Sequence, residues 1–421
     1  MGPRSLFLLL MLVAAKLLTC ESRRIHFKDQ SIADSGPKKY AIVFDAGKTK
    51  TKLEIYKIST KSPPLDVRDV KQLDHSPGKV EPGIDSLAER PRSVEDYLTP
   101  LLNVAKSTVP EEKHNSTPLF FLATGGMRGL RADLANATLK EVKKLLSNKK
   151  KCPFKFDSKD ARVISGDNEG MYGWITVNFL KGTIRPGNSK PTYGIIDLGG
   201  SSTQNEFESP AGNETMSVTF GDKKINLFSR SYLGYGLDLA YHRYLTMQMF
   251  SQQSLTKGIV KSPCDVDGLK QNISIGVKED VTVVGKASLK TCRAFIQESF
   301  FSRSPDSPFH DQPDLKGEIF GFAGIFYIAR NLGLAESGEV KAVTVAMFED
   351  CSRKSCGKKY KDIHADRYAA RDCFGSNFIY ELLAGGYRLA EDKAIYVVDK
   401  LKGFDLGWGL GAMLYNTGLL G

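Results

Sequence analysis

The sequence predicts an α/β fold built as two related lobes, and three observations predict it. The first is the stretch Thr192–Gln204, TYGIIDLGGSSTQ: an apolar run from Tyr193 to Ile196, then Asp197, a Gly-Gly turn, and the small hydroxyl residues Ser201, Ser202 and Thr203. The second is residues 40–56, YAIVFDAGKTKTKLEIY, which repeat that design with Asp45, Ala46-Gly47, then Lys48, Thr49, Lys50 and Thr51. The third is size. A chain of 421 residues with 41% apolar and 25% charged residues buries a sizeable core and suits two domains better than one. A hairpin repeated roughly 150 residues later is a fold-level signal. It implies two lobes facing one phosphate chain and one metal ion.

The chemistry of the repeated unit supports that reading. Glycine lets backbone N–H groups turn toward a phosphate, and hydroxyls add donors. A carboxylate beside phosphate is repelled unless a divalent cation stands between them. Standing alone, such a stretch is more readily an ordinary strand and turn; it is the pairing of the two that carries weight.

The rest of the chain follows in order. Residues 1–20 have the pattern of a secretory signal, with Arg4, an apolar run Leu6–Ala15 and a cleavage region near Cys20. That run is too short to span a bilayer, and no other stretch is long and apolar enough. Residues 21–38 read as a polar arm. Residues 59–92 are turn-rich, and Ser93 starts a helical pattern in which Pro100 marks a bend. Pro118–Leu130, PLFFLATGGMRGL, reads as a strand followed by Thr124, Gly125, Gly126 and Arg128. Residues 133–148 read as an amphipathic helix and Arg162–Ser165 as a short strand. In Asp167–Leu180, DNEGMYGWITVNFL, Glu169 sits at the start of an apolar helix. A carboxylate there is either a rigid cleft acid or simply one favoured by the helix dipole. Beyond Asp197 the pattern is β-structure to Phe228, then a turn and helix. Residues 252–290 read as polar and turn-rich. Helical patterns cover 292–301, 321–331 and 374–391, residues 337–370 are charged, and Ala394–Val398 reads as a strand. Phe404–Leu414 is a glycine-rich turn entering a terminal helix.

Composition excludes some classes and favours others. Sequons stand at Asn115, Asn136, Asn213 and Asn272. Beyond Cys20 there remain Cys152, Cys264, Cys292, Cys351, Cys356 and Cys373, an even set that fits an oxidising compartment. With no CxxC pair and scattered histidines, a zinc site is not expected. The net charge of +11 favours anionic ligands or an anionic surface. The clusters Lys149–Lys151 and Arg353–Lys361 lack interleaved aromatics, so no nucleic-acid platform is expected.

In five ordered blocks the chain resembles the apyrases, or nucleoside triphosphate diphosphohydrolases, of the soluble secreted type. The blocks are DAGKTKT (45–51), ATGGMR (123–128), GDNEGMYGWITVNFL (166–180), DLGGSSTQ (197–204) and GWGLGAML (407–414). The resemblance implies two ribonuclease-H-like lobes, as in actin and sugar kinases, with nucleotide in the cleft between them. It places residues 38–165 with 401–421 in one lobe and 166–400 in the other. It implies a monomeric, secreted enzyme that removes phosphate from ATP and ADP with Ca²⁺ or Mg²⁺. Glu169 would take a proton from the attacking water, which Ser202 and Gln204 hold; Asp45 and Asp197 would bind the cation through its waters. Backbone N–H groups at Gly47, Lys48, Gly125, Gly199, Gly200 and Ser201, with Thr49 and Thr124, would cradle the phosphates. Phe326 or Tyr327 would stack on the base. The resemblance also implies the disulfides Cys264–Cys292 and Cys356–Cys373, leaving Cys152 and Cys351 to pair.

This chain departs from that pattern where Lys48 and Lys50 replace small residues, and where Gly125 replaces the commoner alanine. Lys48 would either reach the phosphates or obstruct the site. Two other readings therefore stay open: a lumenal nucleoside diphosphatase acting on UDP or GDP, and a catalytically weak nucleotide scavenger.

Overall fold

Strand β1 (Lys38–Ala46) is apolar on both sides, so it must lie inside a sheet covered on both faces. Ala41 and Val43 point into one core and Ile42 and Phe44 into another. The computed structural model describes residues 38–59, 65–185, 187–210, 215–221, 223–253, 258–275, 278–363 and 369–420. The expected signal segment, the arm before Lys38 and the sequon at Asn213 lie outside these.

The first sheet joins β1 to β2 (Thr51–Ser59), β3 (Val70–Gln72), β4 (Lys79–Val80), β5 (Leu119–Ala123) and β6 (Ala161–Val163), in the order β3-β2-β1-β5-β6, with β4 on β2. β1 and β2 are antiparallel; β5 and β6 follow in parallel. The apolar faces of α1 (Val94–Thr108) and, beyond the short α2 (Gly125–Arg128), of α3 (Ala132–Ser147) cover the outer side. Pro100 is accommodated inside α1.

After α4 (Gly166–Lys181) the plan repeats. β7 (Gly194–Leu198) and β8 (Ser202–Glu208) form the antiparallel hairpin, extended by β9 (Thr215–Phe220) and β10 (Lys223–Leu233). Then come α5 (Leu237–Ser251), a small sheet of β11 (Ile259–Ser262), β12 (Lys270–Ile275) and β13 (Lys278–Gly285), and α6 (Leu289–Phe300). β14 (Ile319–Ala323) runs parallel to β7, followed by α7 (Gly324–Asn331), β15 (Lys341–Thr344), α8 (Val345–Cys356), α9 (Asp372–Glu381) and β16 (Ala394–Val397). The second sheet is ordered β15-β16-β14-β7-β8-β10-β9. In both sheets, then, one hairpin stands beside two parallel strands.

The layers stack as helices, sheet, helices, sheet, helices. Helices α4 and α10 (Gly409–Asn416) form the middle layer, packed against Ala41, Val43 and Phe120 of one sheet and Ile195, Phe320 and Phe322 of the other. Helices α5 to α9 cover the far side of the second sheet. The chain between Lys400 and Asp405 returns to the first sheet, where Asp405 N donates to Gln72 Oε1 at 2.8 Å and its carboxylate pairs with Lys52 Nζ at 2.9 Å.

Close contact of α4 and α10 depends on one residue without a side chain. Gly411 N donates to Thr176 Oγ1 at 2.9 Å, and a Cβ at 411 would stand 1.9 Å from the Tyr172 carbonyl oxygen. Backbone cannot swing aside as a side chain does. Gly411→Ala is therefore expected to cost about 1–3 kcal/mol of stability, read as a lowered denaturation midpoint.

Three expectations change. Residues 252–290 are not mainly turns: Val260, Val281 and Val283 point inward with no exposure, and the strands carrying them are short with polar outer faces, which hides their alternation. The charged stretch 337–370 contains β15 and α8, and Lys341 of β15 is buried, paired with Glu339 at 2.8 Å. Cysteines 264–292 and 356–373 are paired. Cys152 and Cys351 are not bonded to each other, because Cys152 packs in the first sheet's outer core and Cys351 in the second's, with both sheets between them.

Candidate active site

The two hairpin turns are the same turn. Asp45 is the strand partner of Lys52, and Asp197 of Gln204. Gly47 N donates to Lys50 O at 3.0 Å, and Gly199 N donates to Ser202 O at 2.9 Å. These two N–H groups close their own turns, so Gly47 and Gly199 shape the loops and leave phosphate contact to the N–H groups that follow. In the second loop the carbonyl edge is held inward: Leu237 N donates to Gly199 O at 2.8 Å, Leu239 N to Gly200 O at 2.9 Å and Gly234 N to Ser201 O at 2.8 Å.

The turns face each other across the lobes. Thr49 Oγ1 donates to Asp238 Oδ2 at 3.0 Å. A Cβ at Gly200 would stand 2.9 Å from Thr49 Oγ1, and one at Gly125 would stand 2.8 Å from Ser201 Cβ. Thr124, at the end of β5, is buried here. Lys48 does not point at the acids: its ammonium pairs with the buried Asp85 at 2.5 Å, on its own side of the cleft. Lys50 Nζ lies 5.9 Å from the centre of the Tyr327 ring, on the opposite lobe. Of the two aromatic candidates, Phe326 is 1% exposed and packed in the core, with no open ring face for a base. Tyr327 is 45% exposed.

Glu169 occupies the first turn of α4, where the side chain of Ser165 caps the helix by accepting from Asn168 N at 3.1 Å. Its carboxylate, 6% exposed, accepts from Arg128 Nη1 at 2.8 Å. Arg128 reaches across from the first lobe; its Nη1 also donates to Ile164 O, and its Nη2 to Ser202 Oγ at 3.0 Å. Gln204 Nε2 donates to Ser202 Oγ at 2.7 Å and to Ser231 Oγ at 2.9 Å, and lies 3.4 Å from Glu169 Oε2. A hydroxyl has two acceptor positions and one proton. With both acceptor positions of Ser202 taken, its proton is left to donate. Gln204 Oε1 is buried with no partner among the described residues, an acceptor left open in the same place.

The acids repel one another here. Burial, then the neighbouring Glu54, pushes Asp45 up to about 8 against the pull of Lys52, with Glu169 adding to the rise. Burial, then Glu169 and Asp45, holds Asp197 well above the ordinary carboxylate range. Burial also raises Glu169, and Arg128 opposes it. Asp45, Asp197 and Glu169 thus share one field. Among the described residues no three acid, histidine or cysteine side chains close into a cage for a bare ion. Two mutually repelling carboxylates from facing lobes fit instead a cation that keeps its waters and takes oxygens from phosphate.

Several residues of this centre escape a reading of the sequence by motif. Arg128 lies inside ATGGMR, yet nothing local says which way it points. Glu54 and Glu206 are buried acids of the site's surroundings, each nine residues after its loop aspartate. That equal offset, D-x-G-x-[ST]-x-T-x-x-E in both copies, is the signal that identifies them. Asp85 and Asp238 have no such signal, since only folding brings them to Lys48 and Thr49.

Comparison with known proteins agrees with this architecture. The GDA1/CD39 (nucleoside phosphatase) family matches residues 31–420. Ectonucleoside triphosphate diphosphohydrolase 1 of Bos taurus is 30% identical over 426 residues, covering 90% of this chain and 81% of that protein. Ectonucleoside triphosphate diphosphohydrolase 2 of Homo sapiens is 31% identical over 421 residues, covering 91% and 83%. Among solved structures, a nucleoside triphosphate hydrolase from Neospora caninum superposes with a TM-score of 0.67 at 14% identity, covering 91% of this chain and 93% of that one; it supports the fold. The chain belongs to the GDA1/CD39 family of nucleoside phosphatases.

Proposed function

We propose that this hydrolase is a secreted, monomeric apyrase that uses Ca²⁺ or Mg²⁺ to remove the terminal phosphate from ATP and from ADP. The carrying observation is the convergence of Glu169, Ser202 and Gln204 around an open, buried acceptor, Gln204 Oε1. A water molecule seated there would donate one proton to Gln204 and yield the other to Glu169, as the attack on phosphorus requires. Ser202, its lone pairs occupied, would donate to the water or to the phosphate. Arg128 opposes the effect of burial on Glu169, favouring its ionised form, and orients the carboxylate. Asp45 and Asp197 would hold the cation through its waters, and the cation supplies charge neutralisation on the phosphates. Thr49, Thr124 and the N–H groups after Gly47 and Gly199 would bind the phosphate chain. The lobe division at 165/166 and 400/401 accompanies this reading.

Tyr327 is the aromatic we assign to the base, in place of Phe326. Tyr327→Ala is expected to raise KM about tenfold, the scale of one lost stacking contact, while kcat changes little. A panel of bases in the same assay reads it.

Secretion is supported by the two disulfides, which need an oxidising compartment, and by the exposed positions of Asn115, Asn136 and Asn272. Recovery of the protein in the medium of expressing cells is the expected result; retention inside the secretory pathway favours the lumenal diphosphatase. The enzymatic reading is tested by phosphate release from nucleoside di- and triphosphates, with and without EDTA. Release from ATP and ADP that stops on chelation is expected. Tight ATP binding by calorimetry with no release in Ca²⁺ or Mg²⁺ would establish a scavenger instead.

A further inference from the structure

Beneath the first turn of α4 lies a polar floor that the reaction as described does not use. Gly166 and Gly170 press on it directly: a Cβ at 166 would stand 2.2 Å from Ser231 Oγ, and a Cβ at 170 would stand 1.5 Å from Glu206 Oε1. Glu206 is fully buried on β8, and its Oε2 has no partner. The other lobe has the same arrangement at the equivalent place. Glu54 is paired in register with Val43, two residues before Asp45, as Glu206 is with Ile195, two before Asp197. Glu54 likewise abuts a helix-start glycine, for a Cβ at Gly409 would stand 1.8 Å from Glu54 Oε2. Each hairpin therefore keys one of the two middle helices with a glutamate against a bare glycine. The two keys differ in charge. Glu54 faces a cation, Lys52 Nζ at 2.8 Å, besides the Tyr56 hydroxyl. Glu206 faces a hydroxyl.

That hydroxyl identifies the state of Glu206. Ser229 Oγ lies 3.1 Å from Glu206 Oε1 and 3.2 Å from the carbonyl oxygen of Asp167. Ser229 has one proton, and a carbonyl only accepts. With Glu206 ionised, the single Ser229 proton is shared between two acceptors; with Glu206 protonated and donating to Ser229, which then donates to Asp167, each contact is a full two-centre hydrogen bond. Burial above all, with Asp197, Asp167 and Glu169 nearby, holds Glu206 well above the ordinary carboxylate range, although a bond donated by Ser229 pulls the other way.

We propose that Glu206 is a positioning residue for Glu169: a neutral acid that, through Ser229 and the bare backbone at Gly170, fixes the helix turn carrying the base. The proposal rests on the reading of Glu169 as that base. The chain Glu206–Ser229–Asp167 sets the carbonyl two residues before Glu169, and the Gly170 contact sets the backbone one residue after it. An error of about an ångström in a catalytic group costs on the order of a hundredfold, so this floor acts on turnover and leaves substrate binding alone.

The test measures phosphate release from ATP by the full chain at saturating Mg²⁺, with binding of a non-hydrolysable ATP analogue as the check on folding. Glu206→Gln keeps an N–H that donates to Ser229 and is expected to hold kcat within about threefold of wild type. Glu206→Ala is expected to lower kcat by about tenfold or more with KM within about threefold. Ser229→Ala, a smaller change, breaks the same chain and is expected to lower kcat about threefold to tenfold; it decides the matter if Glu206→Ala does not fold. Unchanged kcat in both alanine variants overturns the proposal, as does a glutamine variant as impaired as the alanine one. Full turnover in Glu169→Gln overturns the reading of the base instead, and so separates the two failures.

Discussion

Glu169→Ala is expected to fold, to bind nucleotide and to lose turnover by at least about a hundredfold, the scale of general-base catalysis. Folding survives because the α4 start is held by other groups: the Ser165 cap, and the seating of Gly166 and Gly170 on β8 and β10. Arg128 keeps its bonds to Ile164 O and Ser202 Oγ. What disappears is the one carboxylate placed beside Ser202 and Gln204. The pH dependence follows from the same site. A base works ionised, and burial raises Glu169, so kcat/KM of the wild type falls as pH drops through that raised value. Arg128 is the cation opposing the rise, so Arg128→Ala moves the acid limb to higher pH. A profile of kcat/KM against pH for the two proteins reads this. A limb that stays in place denies Arg128 its electrostatic part.

Asp197→Asn is expected to abolish cation-dependent turnover, by at least about a hundredfold given the several kcal/mol a bound cation contributes, and at the same time to stabilise the metal-free protein. The second half follows from linkage. The ordinary value for the carboxyl is 3.8, and burial with Glu169 and Asp45 nearby holds Asp197 far above it. An acid raised on folding resists ionisation, so it costs stability wherever the unfolded chain is ionised. The cost is absent below the unfolded value and grows as pH rises toward the folded ones, about 8 for Asp45. The gain in Tm of Asp197→Asn over wild type, measured in EDTA, should therefore widen from acid to neutral pH. Added Mg²⁺ should raise the Tm of wild type and leave the variant nearly unmoved. A variant less stable than wild type in EDTA at neutral pH would contradict the shared-field account. Such a trade of stability for function is expected where like charges are held together to receive a ligand.

The lysines show how a motif can be read correctly and still be silent. Lys48 and Lys50 stand in a phosphate-loop pattern, and their charges alone admit a ligand, an obstruction or a bystander. The outcome depends on Asp85, 37 positions away, which takes the Lys48 ammonium, and on Tyr327, which Lys50 overlies. Arg128 is similar: the motif carries it, but its bridge to Glu169 and Ser202 exists only because the lobes meet.

By itself the sequence determined the hairpins, their acids, the helix whose first turn carries Glu169 and the order of the five blocks. Each of these is written in spacing along a few residues: an apolar run, a glycine turn, an acid at a helix start. Only the tertiary structure decided that Tyr327 is open and Phe326 closed, that Cys152 and Cys351 lie on opposite sides of two sheets, and that Glu206 sits under Gly170. Those facts concern which face of an element meets which neighbour. Packing of distant segments settles that, and no local period records it.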